Sequence, residues 1–382
     1  MSASFSADDH RHMARAMRLA ERGLYTTDPN PRVGCVLVRD GRIVGEGWHR
    51  KTGEPHAERN ALIAAGEAAR GATAYVTLEP CSHHGRTPPC AQGLIEAGVA
   101  RVVAAMSDPN PLVAGRGMVM LREAGIETGV GLLEADAEAL NPGFLARMRH
   151  ARPYVRCKLA MSLDGRTAMA SGESQWITAE AARRDVQYLR ARSSAILTGV
   201  GTVLADDPSM NVRLSVEELH GVEGAGDLRQ PLRVVLDTRL RTPPRARLLS
   251  LPGDTLFVCG EGAPAETELE LRGAGADVLR LPQLGGRIDL PALLVALADR
   301  GMNEILIEAG ATLAGSALLA GLVDELVVYL APQLLGHAAR ALVNLPGLER
   351  LDERIELQFG DVRRVGPDLR VTLTPALRSE NG

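Results

Sequence analysis

The amino-acid sequence predicts an α/β protein made of two domains. The chain has 382 residues, 45% of them are hydrophobic, and strand-like segments alternate with helix-like segments in both halves. This length exceeds the usual size of a single domain, and the apolar content is sufficient for two packed cores. A helical stretch ends before Arg152-Pro153. We therefore expect one domain over residues 1–151 and a second over residues 152–382.

The first domain begins with a helix and a hairpin. Ser6 followed by Asp9 forms a capping box, which starts a helix. Residues 33–38 and 43–48 are strand-like, and Asp40-Gly41 between them is a strong hairpin turn. The later elements are helices that start at His56 and Cys90 and strands over 74–78, 101–105 and 126–130. This order predicts a layered domain with a mixed sheet.

One stretch carries the chemistry of the first domain. His56 and Glu58 form a His-x-Glu pair, and Cys81 and Cys90 follow a strand-like segment. One imidazole and two thiolates supply three zinc ligands and leave the fourth tetrahedral position to water, as in catalytic zinc sites. Glu58 is placed to carry a proton to a leaving amine, as in zinc-dependent nucleobase deaminases. We predict zinc ligation by His56, Cys81 and Cys90, with Glu58 as the catalytic residue.

The spacing of the two cysteines departs from the usual deaminase signature. That signature has two residues between the cysteines, whereas eight residues separate Cys81 from Cys90. The loop between them is basic and rich in proline, which suits a phosphorylated substrate better than a bare nucleoside. We expect Lys51 or Arg86 to contact the phosphate.

Two other interpretations of the zinc motif remain open. A deaminase of nucleosides or nucleic acids with an accessory domain would carry the same motif, but it leaves the glycine-rich turns of the second half without a role. A structural zinc protein that serves as a binding scaffold would use the same ligands. Such a site would tolerate the replacement of Glu58 by glutamine, whereas a deaminase would not.

The composition argues against nucleic-acid and membrane partners. The 43 basic and 47 acidic residues give a net charge of −4, so no global positive field attracts a phosphate backbone. Aromatic residues, at 3%, offer few surfaces on which bases could stack. No apolar run reaches membrane-spanning length, and residues 1–9 do not resemble a signal peptide. An odd set of three cysteines remains after zinc ligation, which favours a reducing, cytoplasmic location.

The second domain places polar groups at the ends of buried strands. A strand over 154–160 leads to the turn at Asp164-Gly165, and a strand over 195–198 runs into a glycine-rich turn. A strand over 305–307 ends at Glu308, again before glycines. Such junctions bind phosphates and ligands in α/β sheets. No Gly-x-Gly-x-x-Gly follows the first strand, so the pattern argues against a dinucleotide-binding Rossmann domain.

Several strings together resemble a known family. Residues 79–90, 108–111, 113–117 and 158–165 closely resemble the bifunctional riboflavin-biosynthesis deaminase-reductases, and the resemblance covers nearly the whole chain. It implies a cytidine-deaminase-like first domain with three layers and a dihydrofolate-reductase-like second domain. It also implies zinc-dependent deamination of a phosphoribosylated diaminopyrimidinone, followed by NADPH-dependent reduction of the ribosyl group to ribityl. The family further implies a homo-oligomer that associates through the reductase domain.

The resemblance also assigns ligand-binding residues. Contacts to NADPH are implied for Ala160, Trp176, Thr202, Asp206, Gly310, Ala311, Thr312, Leu313, Ala314, Gly315 and Ser316. Contacts to the substrates are implied for Asn30, His49, Ser174, Arg190, Met210, Arg213 and Glu308. Lys158 and Asp164 join the substrate set as the polar groups that we expect to assist proton transfer during hydride delivery.

Overall fold

The computed structural model describes residues 5–82, 89–111, 114–219 and 228–376. The chain divides into two compact units. The first contains Met1–Arg152 and Ser215–Leu228, and the second contains Pro153–Leu214 and Arg229–Gly382.

The first unit is built on a five-stranded sheet. Its strands are β1 (Gly34–Arg39), β2 (Arg42–Trp48), β3 (Thr73–Val76), β4 (Arg101–Ala104) and β5 (Glu127–Val130). Their order is β2-β1-β3-β4-β5. Strand β1 is antiparallel to both neighbours, while β3, β4 and β5 are parallel. The predicted hairpin and the predicted mixed sheet are both confirmed.

Helices cover both faces of this sheet. Within the described residues they are α1 (Ala7–Glu21), α2 (Ala57–Ala65), α3 (Cys90–Glu96), α4 (Arg116–Glu123), α5 (Glu134–Leu140) and α6 (Pro142–His150). Successive strand residues point to opposite faces, so Val36 packs in a cluster with Met13 of α1, whereas Leu37 packs in another with Ala61 of α2. The domain therefore has the three layers that the resemblance implied, and the capping box of Ser6 starts α1 as predicted.

The second unit contains a nine-stranded sheet. Its strands are β6 (Tyr154–Ser162), β8 (Ala195–Gly199), β9 (Leu232–Leu236), β10 (Thr255–Gly260), β11 (Asp277–Leu281), β14 (Glu304–Ile307), β15 (Glu325–Ala331), β17 (Leu357–Val365) and β18 (Asp368–Pro375). Four short strands form two small ladders, namely β7 (Arg166–Ala168) with β16 (Arg340–Ala341) and β12 (Gln283–Leu284) with β13 (Arg287–Ile288).

The order of the large sheet is β11-β10-β9-β8-β14-β6-β15-β18-β17. The seven strands from β11 to β15 in this order are parallel, and β18 and β17 add an antiparallel hairpin at one edge. The helices in the described part of this unit are α7 (Glu180–Arg192), α8 (Val200–Asp206), α9 (Ala265–Gly273), α10 (Leu290–Asp299) and α11 (Ala311–Leu319). Strand–helix alternation thus gives a parallel α/β layer.

Helices α8 and α11 begin at the same edge of this sheet. Each follows a strand directly, and these strands, β8 and β14, are adjacent and parallel. Strand β6, on the other side of β14, points in the same direction. Ligands bind at the carboxyl ends of parallel strands in α/β sheets. A ligand site of the second unit is therefore expected at this edge.

In the described part of the chain, every helix is too short or too polar to cross a bilayer.

Candidate active sites

Three side chains from separate elements of the first unit converge as a metal site. His56 caps α2, Cys90 is the first residue of α3, and Cys81 lies in the segment after β3. The Nδ1 atom of His56 lies 3.3 Å from Cys90 Sγ and 3.7 Å from Cys81 Sγ, and the ligand atoms all lie within 4.8 Å of one another. Zinc bonds of about 2.0–2.3 Å to nitrogen and sulfur fit these separations. The set therefore accommodates zinc.

Hydrogen bonds prepare Cys81 for metal binding. Hydrogen bonds from the Cys90 thiol and from His56 lower the pKa of Cys81. The backbone N–H of Cys90 also donates to Cys81 Sγ at 3.3 Å. These contacts favour the thiolate of Cys81, which is the form in which cysteine binds metals.

Glu58 lies in the first turn of α2, two residues after His56. It is only 4% exposed, and this burial, with the Cys81 charge adding to it, raises the pKa of the carboxyl to about 7. A group that must accept a proton and then release it works best with a pKa near the working pH. The burial of Glu58 therefore matches a proton carrier.

Asn30 and His49, which were predicted to contact substrate, lie together beside the metal ligands. The Asn30 amide nitrogen is 3.1 Å from His49 Nε2, and the His49 and His56 rings are 5.4 Å apart, edge to face. His49 Nδ1 lies 3.2 Å from the Pro55 carbonyl oxygen, which can only accept, so Nδ1 carries the proton. Burial lowers the pKa of His49, which keeps the ring neutral.

Of the two residues predicted to contact the substrate phosphate, the structure describes only Lys51. Arg86 and the rest of the basic loop, residues 83–88, lie outside the described residues. Lys51 is exposed just beyond β2 and His49.

In the second unit, Arg190 and Glu308 form a bidentate ion pair whose side chains are 11% and 13% exposed. Arg190 Nε donates to Glu308 Oε1 at 2.6 Å, and Nη2 donates to Oε2 at 2.9 Å. Arg190 comes from α7, while Glu308 follows β14. Burial opposes ionisation of Glu308, but the charges of Arg190 and Lys158 outweigh it and hold the pKa of the carboxyl below its ordinary value.

Two further cations act on the same carboxylate. The register of β6 and β14 pairs Cys157 with Ile307, which sets Lys158 beside Glu308. Burial lowers the pKa of Lys158, and Glu308 opposes that shift. Burial and the Arg190 charge lower the pKa of Arg213. Three cations therefore face one carboxylate, and the excess positive charge suits an anionic ligand.

Sequence reasoning missed the groups that hold these arginines. The Asn211 carbonyl accepts from Arg190 Nη1 at 3.0 Å, and the Gln187 side chain accepts the Arg213 backbone N–H at 3.0 Å. An ordinary glutamine in a helix and a loop carbonyl carry no sequence signal, because their role depends on the tertiary contact alone.

The residues predicted to contact the cofactor fall into two groups. Thr202 lies in the first turn of α8, Gly310 is the N-cap of α11 and residues 311–316 form the first turns of α11, so these residues share the carboxyl edge with Ala160 of β6. Asp206 is the last residue of α8. Trp176 is 67% exposed beneath the Arg183 guanidinium, whose carbon lies 4.4 Å from the ring centre.

The other residues predicted to contact ligands in this unit are Ser174 and Met210. Within the described residues, no hydrogen bond joins Ser174 or Trp176 to Arg190 or Glu308. Met210 is 2% exposed, with a positive φ of 47°. Their predicted contacts with ligands stay predictions.

The Asp164 carboxylate accepts hydrogen bonds from three groups within the protein. Its carboxylate accepts from Ser162 Oγ at 2.5 Å, from Gly336 N–H at 2.8 Å and from Leu335 N–H at 3.1 Å. The bond from Ser162, followed by those from the backbone, lowers the pKa of Asp164 to about 2. The carboxylate is therefore ionised at neutral pH and anchors the segment after β15.

Comparison with known proteins covers both units. A family model described as the cytidine and deoxycytidylate deaminase zinc-binding region matches residues 6–106, and the RibD C-terminal domain matches residues 153–371. The riboflavin biosynthesis protein RibD of Escherichia coli (strain K12) is 55% identical over 96% of this chain and 100% of its own. This chain belongs to the RibD family. The RibD of Haemophilus influenzae is 52% identical over 97% of this chain and 98% of its own.

Solved RibD structures share the whole fold. Acinetobacter baumannii RibD, form 1, has a TM-score of 0.88 at 48% identity and covers 97% of this chain and 99% of its own. A Thermotoga maritima deaminase-reductase has a TM-score of 0.82 at 31% identity over the same shares. The cytidine-deaminase-like domain and the RibD reductase domain are thus confirmed.

RibD membership decides between the interpretations of the zinc motif. The chain is a bifunctional enzyme of riboflavin biosynthesis, with a zinc-binding deaminase domain and a reductase domain. A nucleoside deaminase with an unrelated accessory domain would not match RibD over 96% of the chain. A structural zinc scaffold would not account for the reductase domain.

Proposed function

We propose that this chain deaminates diaminohydroxyphosphoribosylaminopyrimidine and then reduces the ribosyl group of 5-amino-6-(5-phosphoribosylamino)uracil to ribityl. Both activities appear in the name of the Thermotoga maritima relative. The observation that carries the proposal is the presence, in one chain of RibD type, of a zinc-ligand set and a separate cationic site at a sheet edge. We assign the deaminase to residues 1–151 and the reductase to residues 152–382. The boundary between the compact units after Arg152 supports this division, although Ser215–Leu228 groups with the first unit.

In the deaminase site, His56, Cys81 and Cys90 would hold zinc. When bound, zinc lowers the pKa of a water molecule towards neutrality. Glu58, with a pKa of about 7, takes a proton from the nucleophile and delivers it to the departing amine. The Nδ1–H of neutral His49 is held by Pro55, so the ring and the Asn30 amide are fixed in orientation to bind the pyrimidine.

In the reductase site, charge and proton transfer are divided among different residues. Arg213 and Arg190 attract the substrate phosphate, and Glu308, held by Arg190, accepts hydrogen bonds from substrate hydroxyls. Lys158 has a pKa lowered by burial, which brings this ammonium closer to a useful general acid. Asp164 remains ionised at neutral pH, so we assign proton transfer to Lys158 and a positioning role to Asp164.

The cofactor residues lie where two helices begin. The N–H groups at the start of α11, after Gly310, and the neighbouring start of α8, with Thr202, face the carboxyl edge of the sheet. Helix amino ends favour phosphates, so these turns would hold the pyrophosphate of NADPH. Ala160 of β6 lies close to that edge, where the nicotinamide must approach the ribosyl carbon.

We also propose that the enzyme works in the cytoplasm on small molecules and forms a homo-oligomer through its reductase domain. Each of the five cysteines, all of which lie in the described residues, is free of a disulfide, which supports a reducing compartment. Strand β17 is terminal in the sheet order, and its Phe359 and Val362 are 76% and 54% exposed. A long edge strand with exposed apolar side chains is prone to pair with another chain.

Replacing Glu58 by glutamine tests the deaminase assignment. The amide cannot carry a proton, so deaminase kcat should fall by about a hundredfold to ten-thousandfold while the zinc content stays unchanged. Zinc analysis and a deaminase assay measure the two effects, and reductase activity on the deaminated intermediate is the internal control. The Cys90→Ser variant should lose zinc and deaminase activity together. Substantial turnover by Glu58→Gln would contradict the assignment.

Replacing Glu308 by glutamine tests the reductase assignment. Removing a charge-assisted hydrogen bond costs about 1.5–3 kcal/mol, so kcat/KM for the deaminated intermediate should fall by about ten- to hundredfold. The matched control is Glu325→Gln, which breaks the ion pair between Glu325 and Arg156. This pair lies at the amino ends of the strands, opposite the proposed reductase site. The control should lower Tm without changing kcat/KM. Equal loss of kcat/KM in the two variants would show that Glu308 acts only through stability.

A lysine at Phe359 tests the oligomer. Charged residues protect edge strands from pairing, so Phe359→Lys should shift the sedimenting species to a lower mass. Leu269→Lys, which changes an exposed side chain of α9 (71% exposed), should leave the mass unchanged. An unchanged mass for Phe359→Lys, or a monomeric parent enzyme, would exclude β17 as the contact.

A further inference from the structure

Glu79 is a buried carboxylate that the deaminase mechanism does not use. It follows β3 and is 3% exposed. Its two oxygens accept four backbone N–H groups, those of Asp108 (3.1 Å), Gly115 (2.9 Å), Gly117 (2.9 Å) and Met118 (3.4 Å). Four donors on one carboxylate fix two distant parts of the chain to each other.

Three of these donors belong to the start of α4. The first N–H groups of a helix have no partner within it, and Gly115, at the cap position, has no side chain that could accept them. Glu79 supplies the missing acceptor from another segment, and its negative charge is favourable at a helix amino end. Glu79, in the segment that follows β3, therefore fixes the first turn of α4 in place.

The same segment carries the zinc ligand Cys81. The carbonyl oxygen of Pro80 packs so tightly on α4 that a Cβ at Gly117 would lie 1.9 Å from it. On the other side, Ala91 N–H donates to the Cys81 carbonyl at 3.2 Å, and Cys90 N–H donates to Cys81 Sγ. The Cys81 backbone is thus clamped between α4 and α3.

We propose that Glu79 is a positioning residue of the deaminase site, which sets the backbone of Cys81 relative to the segment that begins at Asp108. This proposal rests on the proposed deaminase function. Only a carboxylate satisfies all four donors, because an amide of the same size presents its NH₂ group to two of them. Its effect reaches the reaction through the metal ligand Cys81, without contact with the reacting atoms.

The test compares Glu79→Gln with a matched buried carboxylate in the full-length, zinc-loaded enzyme. Asp9 is 5% exposed and anchors the start of α1, where it accepts from Tyr75 Oη and Arg101 Nη1, each at 2.7 Å. Asp9→Asn therefore disturbs a helix anchor in the same unit without touching the Cys81 segment. The measurements are the rate of zinc loss to a chelator, deaminase kcat and KM, and Tm.

Glu79→Gln should speed zinc loss and lower deaminase kcat, each by about ten- to hundredfold, the range for outer groups of metal sites. The reductase kcat and KM should stay unchanged, and Glu79→Asp, which keeps the charge, should recover part of both losses. Asp9→Asn should lower Tm and leave zinc loss and deaminase kcat unchanged.

The positioning role is wrong if Glu79→Gln lowers Tm as Asp9→Asn does but leaves zinc loss and kcat unchanged. Should Glu79→Gln fail to fold, Gly117→Ala keeps the carboxylate and displaces the Pro80 carbonyl, so it must speed zinc loss as well. Normal zinc retention in that variant would overturn the proposal. A parent enzyme without deaminase activity would contradict the proposed function instead, and the chelator rates would still decide the role of Glu79.

Discussion

The close contact between α2 and β2 is the constraint on which the deaminase site depends. A Cβ at Gly47 would lie 2.4 Å from the Ala57 carbonyl oxygen, so only glycine lets the helix approach the strand this closely. The contact places the first turn of α2, with His56 and Glu58, beside the end of β2, which His49 follows. The His56 ring, the Glu58 carboxyl group and the His49 ring therefore occupy fixed positions on one layer of the domain.

The reductase unit uses similar ion pairs for two purposes. At the amino edge of its sheet, two arginines balance two glutamates in a buried network, namely Arg156, Arg192, Glu304 and Glu325. Around the carboxyl edge, three cations face one carboxylate, namely Lys158, Arg190, Arg213 and Glu308. The excess positive charge at the carboxyl edge suits an anionic ligand, such as the phosphorylated substrate that we propose.

The sequence was sufficient to predict those elements and site residues that short local patterns define. The zinc ligands and Glu58 stand in short motifs, and the buried strands around Glu308 are marked by apolar runs. Strand β17 was not predicted, because an exposed edge strand lacks an apolar pattern. Glu79 escaped notice for another reason: its partners are backbone N–H groups, which every residue type provides. Asp164 could not be identified as an anchor until its contacts with the segment after β15 were known.

The central claim is that one chain performs two successive reactions at separate sites. Mass spectrometry of diaminohydroxyphosphoribosylaminopyrimidine, incubated with the zinc-loaded enzyme with and without NADPH, tests it most directly. Without NADPH, we expect only the mass change of an amino group replaced by oxygen. With NADPH, the same product should gain two hydrogens. No change with zinc-loaded enzyme, or no second step when NADPH is present, would contradict the account.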